Sequence, residues 1–289
     1  MILVTGATGT AGSQVVRALL ERGQGVRAFV RDANDARRLF GERAELAVGD
    51  FADRNTLRAA LAGVDDVFLS GADDPRRVEW ETAAIDEAAG AGVRRIVKLS
   101  SIVAQPGAPV AFWDWHGRIE QHLRTASVPS VILRASFFMS NLLAAAEPVA
   151  LAGTLCAPAG NAQIAMIDPR DVGTAAAAVL TSAGHDGRSY ALTGPEAVTY
   201  TQVAEALADA TGRDVEFVDL PDEAAVHGLT QAGLPAFAAE QVVAIFAQAR
   251  LGMASQVTTT VQALTGRRPR DICSFARDSA NVFSRREAA

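Results

Sequence analysis

Lysine is nearly absent from this 289-residue chain, and Lys98 is its single representative. Tyrosine is scarce too: Tyr190 and Tyr200 are followed four residues later by Gly194 and Ala204, so no Tyr-x-x-x-Lys pair exists anywhere. The two cysteines, Cys156 and Cys273, are far apart and match no metal spacing or redox pair, which leaves two free thiols. His122, His185 and His227 form no recognisable metal set, and no metal is expected. No apolar run reaches membrane-spanning length, and an apolar strand beginning at Met1 leaves no room for a signal peptide, so a cytoplasmic location is expected. The net charge of −6 is interspersed and builds no basic face for nucleic acid or an anionic membrane.

What the chain does have is apolar content, 49% of its residues, enough for a substantial core. It opens on Met1-Ile2-Leu3-Val4, followed at once by Thr5-Gly6-Ala7-Thr8-Gly9-Thr10-Ala11-Gly12. A strand, a tight glycine turn and a helix start in this order suit a dinucleotide pyrophosphate. Gly6 allows the sharp turn, Gly9 admits the phosphates close to the backbone, and Gly12 lets the helix lie near the strand. The N–H groups of residues 10–12 then face the anion, with the helix dipole behind them. Val15, Val16, Leu19 and Leu20 supply the apolar face of that helix, and Gly23 is its stop.

Short apolar strands alternate with helical patterns through the first two-thirds. Strands are expected at Ile2–Val4, Val26–Val30, Leu46–Val48, Asp66–Ser70, Arg95–Leu99 and Ser130–Arg134. Helices are expected around Gly12–Arg22, Asn55–Ala62, Val78–Ala91 and Gly117–Thr125. Near-continuous hydrophobicity in four- or five-residue strands predicts a doubly wound parallel sheet of the Rossmann type, an α/β fold. Beyond Leu142–Ala152, residues 153–161 read as a loop. A small-residue helix then runs to Leu180, Tyr190–Leu192 and Val215–Asp219 read as strands, and Thr199 and Gln202 form a capping box. The expected division is a dinucleotide-binding domain over 1–152, with 164–193 returning to it. A smaller, discontinuous α/β lobe over 153–289 would bind substrate and cap the carboxyl edge of the sheet.

Ligands of this fold lie outside the carboxyl ends of the strands, so each strand tip is a candidate. Arg31, first after the second strand, would pair with a 2′-phosphate, whereas Asp32 would accept from a ribose 2′-OH; the order favours NADP over NAD. Arg37 could assist. Asp50 would accept from the adenine amino group, or cap the following turn, and the Phe51 backbone would complete the adenine edge. Ser70, Gly71 and Ala72 are small enough to leave room for phosphate and ribose, and Ser100 lies where a nicotinamide would end. Phe112, Trp113 and Trp115, with Phe137, Phe138, Met139 and Asn141, would bring aromatic walls and one polar hook to a flat substrate. Thr8, Thr10 and Ala11 complete the phosphate turn.

The opening turn, Gly49-Asp50 and Leu99-Ser100-Ser101 resemble the extended and atypical short-chain dehydrogenase/reductases. Glu120-Gln121-His122-Leu123, Val131-Ile132-Leu133-Arg134, Phe137-Phe138-Met139-Ser140-Asn141, Tyr190 to Pro195 and Leu264 to Pro269 narrow this to the NmrA-like branch, along nearly the whole chain. The resemblance implies either an NADPH-dependent reductase of quinones or dyes, a catalytically silent dinucleotide sensor working through a protein partner, or a pathway-specific tailoring enzyme. The departure from the wider superfamily is the missing Tyr-Lys dyad, where Phe112 and His116 stand instead. Hydride delivery to an isolated ketone makes an alkoxide that needs a positioned acid. A quinone or cationic dye does not need one, and the protein has mainly to hold it over the nicotinamide. The expectation is therefore a quinone reductase, with His116 as candidate proton relay, its pKa raised by Glu120 one helical turn on.

Overall fold

The computed structural model describes residues 1–284. The chain begins with β1 (Ile2–Val4), α1 (Thr10–Glu21), β2 (Val26–Val30), α2 (Ala33–Phe40), β3 (Glu45–Val48) and α3 (Arg54–Leu61). Next come β4 (Asp66–Leu69), α4 (Arg77–Gly90), β5 (Arg95–Ser101), α5 (Ala111–Thr125) and β6 (Ser130–Ala135). A 3-10 helix (Met139–Ala145), α6 (Ala146–Ala152), β7 (Thr154–Ala157), α7 (Pro169–Leu180), β8 (Ser189–Leu192) and α8 (Tyr200–Thr211) follow. β9 (Glu216–Asp219), α9 (Asp222–Gln231), α10 (Ala236–Arg250), α11 (Thr260–Thr265), α12 (Ile272–Asp278) and α13 (Ala280–Phe283) complete the described chain. No helix among the described residues is long and apolar enough to cross a membrane.

Two compact units emerge. The first holds Met1–Ala135, Pro169–Leu192 and Thr260–Arg267. Its seven strands run parallel in the order β3-β2-β1-β4-β5-β6-β8. The order reverses between β1 and β4, the crevice where such sheets bind dinucleotides. The central strands β1, β4 and β5 are buried along nearly their whole length, as a parallel sheet covered by helices requires, whereas the edge strands β3 and β8 are partly exposed. α3, α4 and α5 pack in sequence over a cluster containing Leu3, Leu57, Leu69, Ile85, Ile96 and Ile119, while α1 packs on α7 and α7 on α11.

Among the described residues, the second unit holds Ser136–Asp168, Thr193–Thr259 and 268–284. Its core gathers Met139, Leu142, Val149, Leu155, Val203, Leu207, Phe246 and Phe275, and β7 pairs with β9 in parallel. The unit boundary falls at Ala135, not at residue 152, because Met139, Leu142 and Val149 bury their side chains in this second core. Of residues 164–193, the stretch 169–192 belongs to the first unit.

Three local expectations need correction. α2 was not expected, although Asp32 caps it by accepting from the Asn34 N–H at 2.7 Å, and Ala36 and Phe40 bury its inner face. The loop expected over 153–161 contains β7, whose partner strand lies some sixty residues along the chain. α5 starts at Ala111 rather than Gly117. Gly117 is internal because the chain at Gln105–Pro106 crosses the helix there: a Cβ at Gly117 would sit 2.2 Å from the Gln105 carbonyl carbon.

Gly117→Ala should therefore destabilise the protein by about 1–3 kcal/mol through overpacking. Gly90→Ala, in helix α4 with nothing within 4 Å of the added Cβ, should stabilise by about 0.5–1 kcal/mol. Urea unfolding midpoints of the two variants check the pair.

Candidate cofactor-binding and active site

The carboxyl end of β1 feeds the glycine turn. Gly6 has φ +58°, and an added Cβ there would lie 2.7 Å from the Ser70 carbonyl oxygen at the end of β4. Gly12 lies closer still, its absent Cβ 2.1 Å from the Gly6 oxygen, so only hydrogen fits between the helix start and the turn. Thr5 ties the two strand ends together: its hydroxyl donates to the Ser70 carbonyl at 3.0 Å and accepts from the Ser70 N–H at 2.9 Å.

Helix α1 begins at an N-cap, Gly9, with extended backbone and no side chain to cap it. α2 and α3, in contrast, are capped by Asp32 and Asp53. The first N–H groups of α1 have no intrahelical acceptor, and Gly9 supplies none, so the helix end is free to bind an anion. This cradle fits a pyrophosphate. Thr8 faces a shallow concavity of about 250 Å³ shared with Asp35, Arg38 and Leu39 of α2.

At the tip of β2, Arg31 is exposed and has no hydrogen-bond or ionic partner among the described residues. Asp32 beside it is engaged by the Asn34 N–H. A free guanidinium next to an occupied carboxylate suits a phosphate better than a ribose hydroxyl. At the tip of β3, Asp50 accepts from the Ala52 N–H at 2.8 Å, which makes it the anchor of the turn, while Asp53 is the actual cap of α3. Phe51 stands edge-on to Phe29, with ring centroids 5.8 Å apart, and so fixes its own backbone. At the tip of β4, the Gly71 N–H donates to Glu81 Oε1 at 3.0 Å, and a Cβ at Gly71 would lie 2.9 Å from that oxygen; Ala72 is exposed.

Beneath these tips lies a group of charges that sequence reading did not anticipate. Lys98 of β5 is fully buried, with Nζ 2.8 Å from Glu81 Oε2 and a further hydrogen bond to the Leu99 carbonyl. Arg77 Nε meets Glu81 Oε1 at 2.8 Å, and its NH1 meets Asp73 at 2.5 Å. Burial pushes the Glu81 carboxyl up, but Lys98 and Arg77 outweigh it and hold the group below its ordinary value. Burial, reinforced by Arg77, lowers the Lys98 ammonium to about 8 against the pull of Glu81 and Glu120. The signals that could have found this group are a lone lysine within an apolar strand and the i,i+4 spacing of Arg77 and Glu81.

The expected His116–Glu120 pair does not form. Glu120 accepts from Ser100 Oγ at 2.6 Å, Arg124 at 2.7 Å, and Arg134 at 2.5 and 3.0 Å. His116 instead places Nδ1 3.4 Å from Lys98 Nζ. Its pKa is not raised: burial first, then the charges of Arg77 and Lys98, push it well below the ordinary imidazole value. His116 is neutral at physiological pH. Ser100 is buried with its hydroxyl donated to Glu120, so its proton is already committed.

Phe112 and Trp113 occupy the first turn of α5, both half-buried, with Phe112 5.3 Å from the buried Trp115. Phe137, Phe138 and Asn141 belong to the second unit. There Phe138 pairs with Ile167, Phe137 lies 5.9 Å from Phe246 against the apolar core, and Asn141 is exposed on the 3-10 helix. Neither tyrosine is available as an acid: the Tyr190 hydroxyl bonds His185 Nδ1 at 2.8 Å, and Tyr200 is buried against Phe217 and Phe246. Burial raises the Tyr200 pKa far above its ordinary value.

The NmrA-like family model matches residues 1–258. The chain belongs to the NmrA-like family. An NAD(P)H azoreductase from Xenophilus azovorans is 37% identical to it, with 98% of this chain and 99% of the relative aligned. A (4-alkanoyl-5-oxo-2,5-dihydrofuran-3-yl)methyl phosphate reductase from Streptomyces griseus is 39% identical, over 98% of this chain and 99% of that protein. Among solved structures, an NADPH-dependent quinone oxidoreductase from Escherichia coli, complexed with NADPH, superposes with a TM-score of 0.88 at 28% identity, over 96% and 99% of the two chains.

Glu81→Ala would strip the ion-pair partner from buried Lys98 and leave buried Arg77 with Asp73 alone, and should cost about 3–5 kcal/mol. Glu87→Ala, which removes the partner of the exposed Arg58, should cost about 0.2–1 kcal/mol. Denaturant unfolding of both variants at neutral pH checks the contrast.

Proposed function

We propose that this NmrA-like protein passes hydride from NADPH to a quinone or a similar conjugated aromatic acceptor. The class, an NAD(P)H-dependent reductase, follows from the family and from relatives named as reductases along essentially their whole length. The observation that carries the acceptor reading is that neither tyrosine nor His116 among the described residues stands as a ready acid beside the glycine turn. Tyr190 is bonded to His185, Tyr200 is packed in the other unit's core, and His116 is neutral.

Bound NADPH supplies the hydride; the chain's own residues hold and orient. The N–H groups at residues 10–12, reached through Gly6, Gly9 and Gly12, bind the pyrophosphate. Arg31 binds the 2′-phosphate by a charge-assisted pair, and Asp50 and the Phe51 backbone meet the adenine edge. Ser70, Gly71 and Ala72 leave room for the ribose and phosphate. Ser100, fixed by Glu120, borders the nicotinamide end, and Phe112 and Trp113 provide aromatic surface for a flat acceptor. Without a Tyr-Lys acid, the site favours acceptors whose reduced form is a stabilised anion or a neutral product, protonated later by water.

In a spectrophotometric assay, NADPH oxidation should proceed steadily with 1,4-benzoquinone and not with an unconjugated ketone such as cyclohexanone. Tight NADPH binding without turnover on quinones, azo dyes or enones would sink the reductase reading in favour of a dinucleotide sensor. Arg31→Ala should raise KM for NADPH about 10- to 100-fold, the worth of a charged hydrogen bond, and leave KM for NADH nearly unchanged. Equal losses would remove Arg31 from the 2′-phosphate.

A further inference from the structure

Lys98 and His116 meet in a place where protons can be counted. A lysine ammonium has three donors and no acceptor. Lys98 Nζ donates to the Leu99 carbonyl oxygen, lies 3.4 Å from His116 Nδ1, and faces Glu81 Oε2 at 2.8 Å as an ion pair rather than a well-aligned hydrogen bond. With the ammonium charged, Nδ1 must be the bare, accepting nitrogen, and the ring proton must sit on Nε2. No residue among those described bonds Nε2.

Charge balance points the same way. Asp73 just before α4, Arg77 and Glu81 of α4 and Lys98 on β5 form two carboxylate–cation pairs, while Glu120 on α5 faces two cations, Arg124 and Arg134, so the surroundings already carry no spare negative charge. A proton added to His116 would place an uncompensated charge in a buried site. One taken from Lys98 would leave Glu81 with Arg77 alone.

We propose that Lys98 locks His116 as the neutral Nε2–H tautomer, making it a fixed hydrogen-bond donor to the oxygen of the bound acceptor rather than an acid. The acceptor half of this proposal rests on the reductase reading above. His116 lies one helical turn after Phe112 and shares its face of α5. Such a donor polarises a quinone oxygen as negative charge develops, and no proton leaves the ring. Lys98 is then a positioning residue that acts through His116.

Nitrogen-15 spectra of histidine-labelled protein, assigned by comparison with His116→Ala, give a readout independent of activity. The unaltered protein should show His116 with Nδ1 bare and Nε2 protonated, unchanged from pH 6 to pH 7.5. In Lys98→Met the ring should lose this single tautomer, and Lys98→Arg, which keeps a cation, should retain it. An Nδ1–H tautomer, or a titration midpoint within that pH range, in the unaltered protein would overturn the lock.

In the quinone assay, His116→Ala should lower kcat about fivefold, the worth of one hydrogen bond, with KM for NADPH unchanged. Undiminished kcat would overturn the acceptor contact. Complete absence of quinone turnover in the unaltered protein would instead overturn the reductase reading and leave the spectroscopic result standing.

Discussion

The contact between Gly12 and Gly6 is the constraint from which the site follows. Only a hydrogen atom fits between the start of α1 and the Gly6 carbonyl, so the helix begins directly at the end of β1. Because Gly9 cannot cap that helix, its first N–H groups remain for a ligand. Thr5 locks the same strand end to Ser70, and the neighbouring tips are thereby set at fixed distances from the turn. The open end of α1, with Arg31 and Asp50 at the neighbouring strand tips, is the geometry on which the proposed cofactor site rests.

The second organising feature is buried charge. Glu81 links the backbone at Gly71 to Arg77 and to Lys98, and Lys98 links onward to His116. Glu120 does the same for Ser100, Arg124 and Arg134. Two carboxylates thus hold the ends of β4, β5 and β6 against α4 and α5. Such groups are costly to bury and costly to break, which makes them rigid supports rather than sources of stability. Placed under the strand tips, they fix the Gly71 N–H, the His116 ring and the Ser100 hydroxyl.

Much of this was legible in the sequence because the signals are local. The glycine turn, the strand alternation and the Thr199–Gln202 capping box each occupy a few adjacent residues, and the structure has the corresponding elements. β7 was hidden because its pairing partner is remote, and Gly117 read as a helix boundary because the crossing chain at Gln105 is not written nearby. The His116 expectation failed for a similar reason. Helical spacing alone would join it to Glu120, but Ser100 on β5 and Arg134 on β6 are better placed for that carboxylate. Tertiary neighbours outcompeted the helical one. The missing Tyr-Lys dyad, by contrast, was decided by composition.

The central claim is that hydride transfer at this site proceeds without proton transfer from the protein. Single-turnover kinetics with 1,4-benzoquinone test it directly, comparing NADPH deuterated at the transferred position with NADPH in deuterated water. The account predicts a clear primary isotope effect from the deuterated cofactor and none from the solvent. A solvent isotope effect on the same step would show a proton moving with the hydride and would contradict the account.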